Sequence, residues 1–210
     1  MDSCNKKQVV FVQHSSHLAG AQKSLSRVLT DPRMKRFSPI LLTGAEGWLT
    51  QFCTNHSVQW VQLDFPSPRS FRALHLGGLS RFVRKAKKAL KPQLHADHSF
   101  IVHANDHPDS LIGLYLSKVL NARSFLTMRT PTMSSRDFYK HRCSEHDCVI
   151  GVGDDLVQKS REWFQNVHLI YNGVAENEIQ KPNPLLNRPQ NKILVLGSLS
   201  PRKGWQDFIN

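Results

Sequence analysis

Hydrophobic positions along this chain fall into short runs separated by longer stretches with helical spacing. The runs at 8–13 (QVVFVQ), 38–43 (SPILLT), 57–64 (SVQWVQLD), 99–104, 123–128 (RSFLTM), 147–152 (DCVIGV), 167–171 (VHLIY) and 192–197 predict strands. Several are apolar without polar alternation, which suits strands covered on both faces. Between them, apolar residues recur at three- and four-residue steps over 20–30, 45–55, 70–91, 108–121 and 154–165, with a further helix start at 203. Strand–helix alternation of this kind predicts βαβ units on a parallel sheet, an α/β fold of Rossmann-like type.

The pattern breaks at 173–190, where GVAENEIQKPNPLLNRPQ carries prolines at 182, 184 and 189. Helices and inner strands tolerate that spacing poorly, so it reads as a linker. A fresh strand and turn follow. The expected organisation is a first domain over 1–174, a linker over 175–190, and the start of a second α/β domain over 191–210. One strand and one helical turn bury too little apolar surface to fold alone, so the second domain is expected to be incomplete within these residues.

Composition narrows the class. Of 210 residues, 40% are apolar and 21% charged, which excludes disorder, collagen and coiled coil. The 28 Lys+Arg against 16 Asp+Glu leave a net charge of +12, favouring anionic partners. No apolar run approaches the roughly 20 residues of a membrane-spanning helix. The opening MDSCNKK is followed by too short an apolar run for a signal-peptide core, and cysteines at 4, 53, 143 and 148 are too sparse for a disulfide framework. A reduced, cytoplasmic protein is expected.

Ligands of an open parallel sheet bind outside the carboxyl ends of its strands, so candidate chemistry is sought there. After the first strand, Ala19-Gly20-Ala21 allows a tight turn into a helix whose free N–H groups can face an anion. After the fourth come His103, Asn105, Asp106, His107, Pro108, Asp109 and Ser110, a cluster in which Asp106 caps a helix and Pro108 suits its first turn. His107–Ser110 also resembles the HPDD segment of zinc-dependent sugar N-deacetylases, with Ser110 in place of the second carboxylate. Two His and two Cys over 141–148 admit a zinc reading, although a small buried thiol explains Cys148 equally. The balance of these readings leaves no metal expected.

Residues 65–96 hold eight Lys/Arg and no acid. Their apolar positions trace one face of a helix, leaving Arg81, Arg84, Lys85, Lys87 and Lys88 on the other. That face suits an anionic membrane surface; few aromatics interleave the charges, which argues against nucleic acid.

The order of motifs is more specific than any one of them. Val149–Leu156 (VIGVGDDL), Leu169–Val174 (LIYNGV), Leu194–Ile209 (LVLGSLSPRKGWQDFI) and the AGAQKSL segment together resemble the retaining GT-B glycosyltransferases of family 4. The resemblance implies two Rossmann-like domains, an acceptor side in the first and a nucleotide-diphosphate sugar on the second. It implies no cofactor. Lys203 matches the lysine that holds the donor diphosphate, with Arg202 beside it and Ser198 where an arginine is usual. Ala19, Gly20 and Ala21 match the cleft loop. Arg129 stands where many members carry a functional histidine; with His103 it is the candidate catalytic residue. The acidic EX7E segment of that family would lie beyond Asn210, so the 210 residues alone are expected to be inactive. The implied role is transfer to a glycan or lipid-linked acceptor in surface-polysaccharide synthesis. The alternative reading is a non-catalytic basic domain on an anionic membrane.

Overall fold

A computed structural model describes residues 7–66, 77–131, 133–174 and 178–179. Seven strands form one sheet: β1 Lys7–Gln13, β2 Ile40–Thr43, β3 Gln59–Gln62, β4 Ser99–Ala104, β5 Arg123–Met128, β6 Cys148–Gly151 and β7 Val167–Leu169. Their order is β3-β2-β1-β4-β5-β6-β7, and every pairing is parallel. The helices are α1 Gly20–Thr30, α2 Trp48–Asn55, α3 Gly78–Leu90, α4 Ser110–Leu120, α5 Ser135–Lys140 and α6 Asp154–Arg161.

Alternation along the strands sends successive side chains to opposite layers. Val9, Phe11 and Leu41 meet Leu25 and Leu29 of α1 and Leu49 and Cys53 of α2. On the other face Val10, Val12, Ile40, Leu42 and Val102 meet Leu79, Val83, Ala86 and Leu90 of α3 and Leu116 and Leu120 of α4. That second layer continues where Leu126, Met128 and Val149 pack against Phe138 of α5 and Leu156 and Val157 of α6. Two-sided cover explains why the inner strands read as unbroken apolar runs. Each such side chain contributes roughly 1.5–3 kcal/mol by leaving water.

The expected strands through 171 all form, shortened at the edges: 57–64 contracts to β3, whose residues are only partly covered. The expected helix over 108–121 is preceded by a separate 3-10 turn, His107–Asp109, because Asp106 accepts from the His107 N–H and Pro108 fixes the next residue. Two of the elements that escape the periodicity reading start at side-chain caps. A 3-10 segment at Pro32–Phe37 is capped by Asp31, and α5 starts at a reciprocal Ser134–Asp137 box. Both are set by capping chemistry rather than by an apolar stripe.

Contacts divide the chain into one unit over Met1–Ala175, which holds the whole sheet, and another over Glu176–Asn210. Except for Glu178 and Ile179, the expected linker and second domain lie outside the described residues, as do Ser198, Arg202 and Lys203. Among the described residues no helix is long and apolar enough to cross a membrane.

Candidate functional site

The strand order reverses direction between β1 and β4: the chain leaves β1 toward β2 and leaves β4 toward β5. Loops that follow two such strands diverge, and the carboxyl edge at this switch point is where a ligand crevice is expected. Polar groups cross it in a connected set. The Asn105 N–H donates to the Val12 carbonyl at 3.0 Å, and its side-chain amide donates to Gln13 Oε1 and, at 3.3 Å, to the Ala21 carbonyl. Arg129, one residue past β5, gives Nε to the Asn105 carbonyl and Nη2 to Asn105 Oδ1, both at 2.9 Å. Its Nη1 reaches Asn172 Oδ1 at 2.7 Å, an oxygen that also accepts from Ser24 Oγ at 2.8 Å. Five separate elements are thereby tied together. The guanidinium bonds only neutral oxygens; its nearest acidic influence is Asp106, whose Oδ1 accepts the Arg129 backbone N–H at 3.3 Å. Burial lowers the Arg129 pKa, while Asp106 favours its charged form.

His14 is the first residue after β1. Asp109 Oδ1 accepts two of its hydrogens, the backbone N–H at 3.0 Å and the ring Nδ1 at 2.9 Å. The carboxylate is wholly buried, whereas the imidazole is 43% exposed. The hydrogen bond to Asp109 raises the His14 pKa above its ordinary value, outweighing partial burial; the charges of Asp109 and Asp106 add to it. Burial raises the Asp109 pKa, and the two His14 donors offset only part of that rise. Asp109 Oδ2 has no hydrogen-bond partner among the described residues. A cavity of about 220 Å³ opens beside the pair, walled by Phe65, Pro66, Pro108, Leu111 and Ile112, with Gly44 and His141 completing the lining. Gly44 is required there: a Cβ on it would stand 2.5 Å from the His14 carbonyl oxygen.

The structure separates the two catalytic candidates expected from sequence. Arg129 sits at the crevice, engaged as a brace. His103 lies within β4, its ring tilted against Phe11 at 5.2 Å and its Nε2 2.7 Å from Thr127 Oγ1. Burial, and after it the positive charge of Arg129, lowers its pKa to about 3, so it stays neutral. Ala19, in extended backbone, is the N-cap of α1; no side chain caps the helix, and its first turn carries no acid. Gly20 faces open space.

The His/Cys segment disperses. His141 lines the cavity, His146 Nε2 meets Ser110 Oγ at 2.9 Å, and the Cys143 thiol is pushed up to about 12 by burial. Among the described residues no group of three or more His, Cys, Asp or Glu could hold a metal ion. On α3, Arg81, Arg84, Lys85, Lys87 and Lys88 are exposed, as the helical period predicts. Lys87 Nζ donates to the Val119 carbonyl at 2.8 Å and Arg84 Nε to the Ser80 carbonyl at 3.2 Å. Sequence reasoning missed the His14–Asp109 pair because its members stand 95 positions apart.

No family model and no curated protein matches the sequence. Solved structures do match. HepE of Anabaena in complex with UDP-glucose aligns with TM-score 0.60 at 16% identity, over 81% of this chain and 45% of that one. The shared fold is a parallel, Rossmann-like α/β sheet of GT-B type. A glycosyltransferase from Rickettsia africae aligns with TM-score 0.56 at 16% identity, over 81% of this chain and 44% of that one. The lipopolysaccharide outer core galactosyltransferase WaaB aligns with TM-score 0.56 at 13% identity, over 87% and 50%. The chain thus spans about half the length of the structures it resembles.

Proposed function

We propose that the protein transfers a sugar from a nucleotide-diphosphate sugar to a glycan or lipid-linked acceptor, the residues of the sheet forming the acceptor side. The observation that carries this reading is the crevice at the β1/β4 switch point, with a cavity beside it, in a fold whose neighbours include HepE structures bound to UDP and to UDP-glucose. The ordered motifs support a family 4 enzyme that retains anomeric configuration, and a role in polysaccharide synthesis. On that resemblance Lys203, with Arg202 and Ser198 nearby, holds the donor diphosphate, where a cation stabilises the leaving group without a metal or cofactor. The protein works in the cytoplasm.

Transfer from labelled UDP-glucose, UDP-galactose and GDP-mannose to free and lipid-linked glycans, by the natural protein over its whole length, tests the reading. Absence of both transfer and nucleotide binding with every donor would overturn it.

A second reading is favoured by one observation. The outer face of α3 presents Arg81, Arg84, Lys85, Lys87 and Lys88 with no acid on the helix. This face lies against the anionic inner surface of a membrane, either as peripheral attachment of the enzyme or as the function of a non-catalytic domain.

A further inference from the structure

We propose that Arg129 binds an oxyanion on the acceptor, a carboxylate or a phosphate group, through the guanidinium N–H groups that the crevice leaves unbonded, and so selects acidic acceptors over neutral ones. The inference rests on the glycosyltransferase reading and names its acceptor class; neither the motifs nor the neighbours' names give the acceptor a charge.

A guanidinium carries five N–H groups and accepts nothing. In Arg129 three of them are used: Nε on the Asn105 carbonyl, Nη2 on Asn105 Oδ1 and Nη1 on Asn172 Oδ1. One N–H on each terminal nitrogen is left without a partner among the described residues. The bonds to Asn105 are partly buried, whereas the bond to Asn172 lies in the open. The Nε edge is therefore fixed in the protein, and the Nη1 end meets solvent, where a ligand can reach it.

None of the three acceptors is charged. Among the described residues Arg129 belongs to no ion pair. Asp106 is the carboxylate that acts on it, yet its Oδ1 meets the Arg129 backbone N–H at 3.3 Å, not the guanidinium. That oxygen also takes the His107 N–H at 2.8 Å and faces His107 Nδ1 at 3.2 Å. Burial lowers the Arg129 pKa, as it does for a cation short of a counter-charge.

An oxyanion supplies what is missing. Carboxylate and phosphate oxygens match the planar spacing of guanidinium N–H groups, and charge-assisted bonds of this kind are about twice as strong as neutral ones. The guanidinium is already oriented, since Asn105 is itself held by the Val12 carbonyl at 3.0 Å, by Gln13 Oε1 and by the Ala21 carbonyl at 3.3 Å. Little freedom is left to lose on binding. Asp106 links Arg129 to the turn that carries Pro108 and Asp109 into the cavity lining, on the side read as the acceptor's. The donor diphosphate has cations of its own on the resemblance, Lys203 and Arg202, so the unmatched charge at Arg129 is assigned to the acceptor.

The test titrates the natural protein over its whole length with methyl glucuronide, with glucose 1-phosphate and, as neutral control, with methyl glucoside. The Arg129 Nε resonance is followed in nitrogen-15 spectra. An acidic probe should move that resonance to saturation and bind at least about tenfold more tightly than methyl glucoside; the tighter of the two names carboxylate or phosphate. Arg129→Gln should abolish this preference. Asn172→Ala, which removes an acceptor of the brace and keeps the guanidinium, should retain it. Equal affinity for charged and neutral probes, a preference that survives Arg129→Gln, or one lost equally in Asn172→Ala overturns the proposal. If the glutamine variant fails to fold, the parent still decides: an Arg129 resonance unmoved by both acidic probes overturns it. UDP that moves the same resonance and displaces the acidic probe assigns the group to the donor and overturns the acceptor role. A parent protein that neither binds nucleotide nor transfers overturns the glycosyltransferase reading instead, and the probes still decide whether Arg129 holds an oxyanion.

Discussion

The crevice at the carboxyl edge and the outer face of α3 use charge in opposite ways. At the crevice, Arg129 gives three guanidinium donors to oxygens of Asn105 and Asn172, and Asp109 is buried beneath His14. Each polar group there is held by residues from distant parts of the sequence. On α3 the cations face water, tied down only by single bonds to carbonyls such as that from Lys87 to Val119. Removing a partner inside the crevice strands a desolvated group, which costs about 1–3 kcal/mol, whereas an exposed charge lost from a helix surface changes stability by no more than about 0.5 kcal/mol. Stability should therefore be sensitive at the crevice and nearly indifferent at α3, while adsorption to anionic surfaces should show the reverse.

The largest expected effect is acid sensitivity of the interior. Burial lowers the pKa of His103 to about 3 and those of His141 and His146 to about 4. In the unfolded chain these rings bind protons near 6.5, so the unfolded state takes up protons that the native state refuses. Their contribution is fully present above 6.5 and is lost as pH falls toward 4, by about 1.4 kcal/mol per pH unit for each ring. His14 has the opposite sign. Its raised pKa gives stability that is present below 6.5 and lost as pH rises through the folded value. Urea unfolding from pH 7.5 to 4.5 checks this. His103→Phe and His146→Phe should flatten the acid limb, and Asp109→Asn should remove the opposing contribution. A slope unchanged in His103→Phe and His146→Phe would contradict the assignment.

Arg129→Ala comes next. It strands Asn105 Oδ1 and removes one of two donors to Asn172, and about 3 kcal/mol of stability should go with it. Arg129→Lys keeps the charge without the planar fork and should recover little of the loss. Recovery of most of the stability by lysine would show that charge, not the bracing geometry, is what the position needs. Gly44→Ala should cost about 1–3 kcal/mol, because the new Cβ would drive against the His14 carbonyl.

The contrast also marks what was readable in the sequence. The strands through β7 and the α3 stripe follow from local periodicity, so the parallel sheet and the basic face were legible. The start of α1 was legible too, since Ala19–Ala21 opens a helix soon after a strand. The crevice set was not. Asn105, Asp109, Arg129 and Asn172 are brought to His14 and Ser24 by strand order, and no local spacing encodes that order. His103 shows the same gap from the other side: its position near the end of β4 suggested a site residue, yet pleat alternation turns it against Phe11. Capping residues explain α5, which has too few apolar positions to show a period.

The smallest expected change in stability carries the largest expected change in surface binding. Lys85 and Lys88 are exposed on α3, one turn apart, with Arg81 and Arg84 on the same helix. Reversing both to glutamate should alter unfolding free energy by less than about 0.5 kcal/mol. The same double variant changes the local charge by four units. At about 1 kcal/mol for each cation near an anionic leaflet, and more on reversal, binding to phosphatidylserine-containing vesicles should fall at least tenfold at 0.1 M salt. Neutral vesicles should bind neither protein. Equal reversal of Arg33 and Lys35, exposed basic residues of the 3-10 segment, is the control for net charge alone. If that control weakens vesicle binding as much as the α3 variant, the attraction belongs to the whole +12 charge and α3 is an ordinary solvated helix face. If only the α3 variant does, the helix is the attachment face, and its orientation fixes which way the crevice opens relative to the membrane.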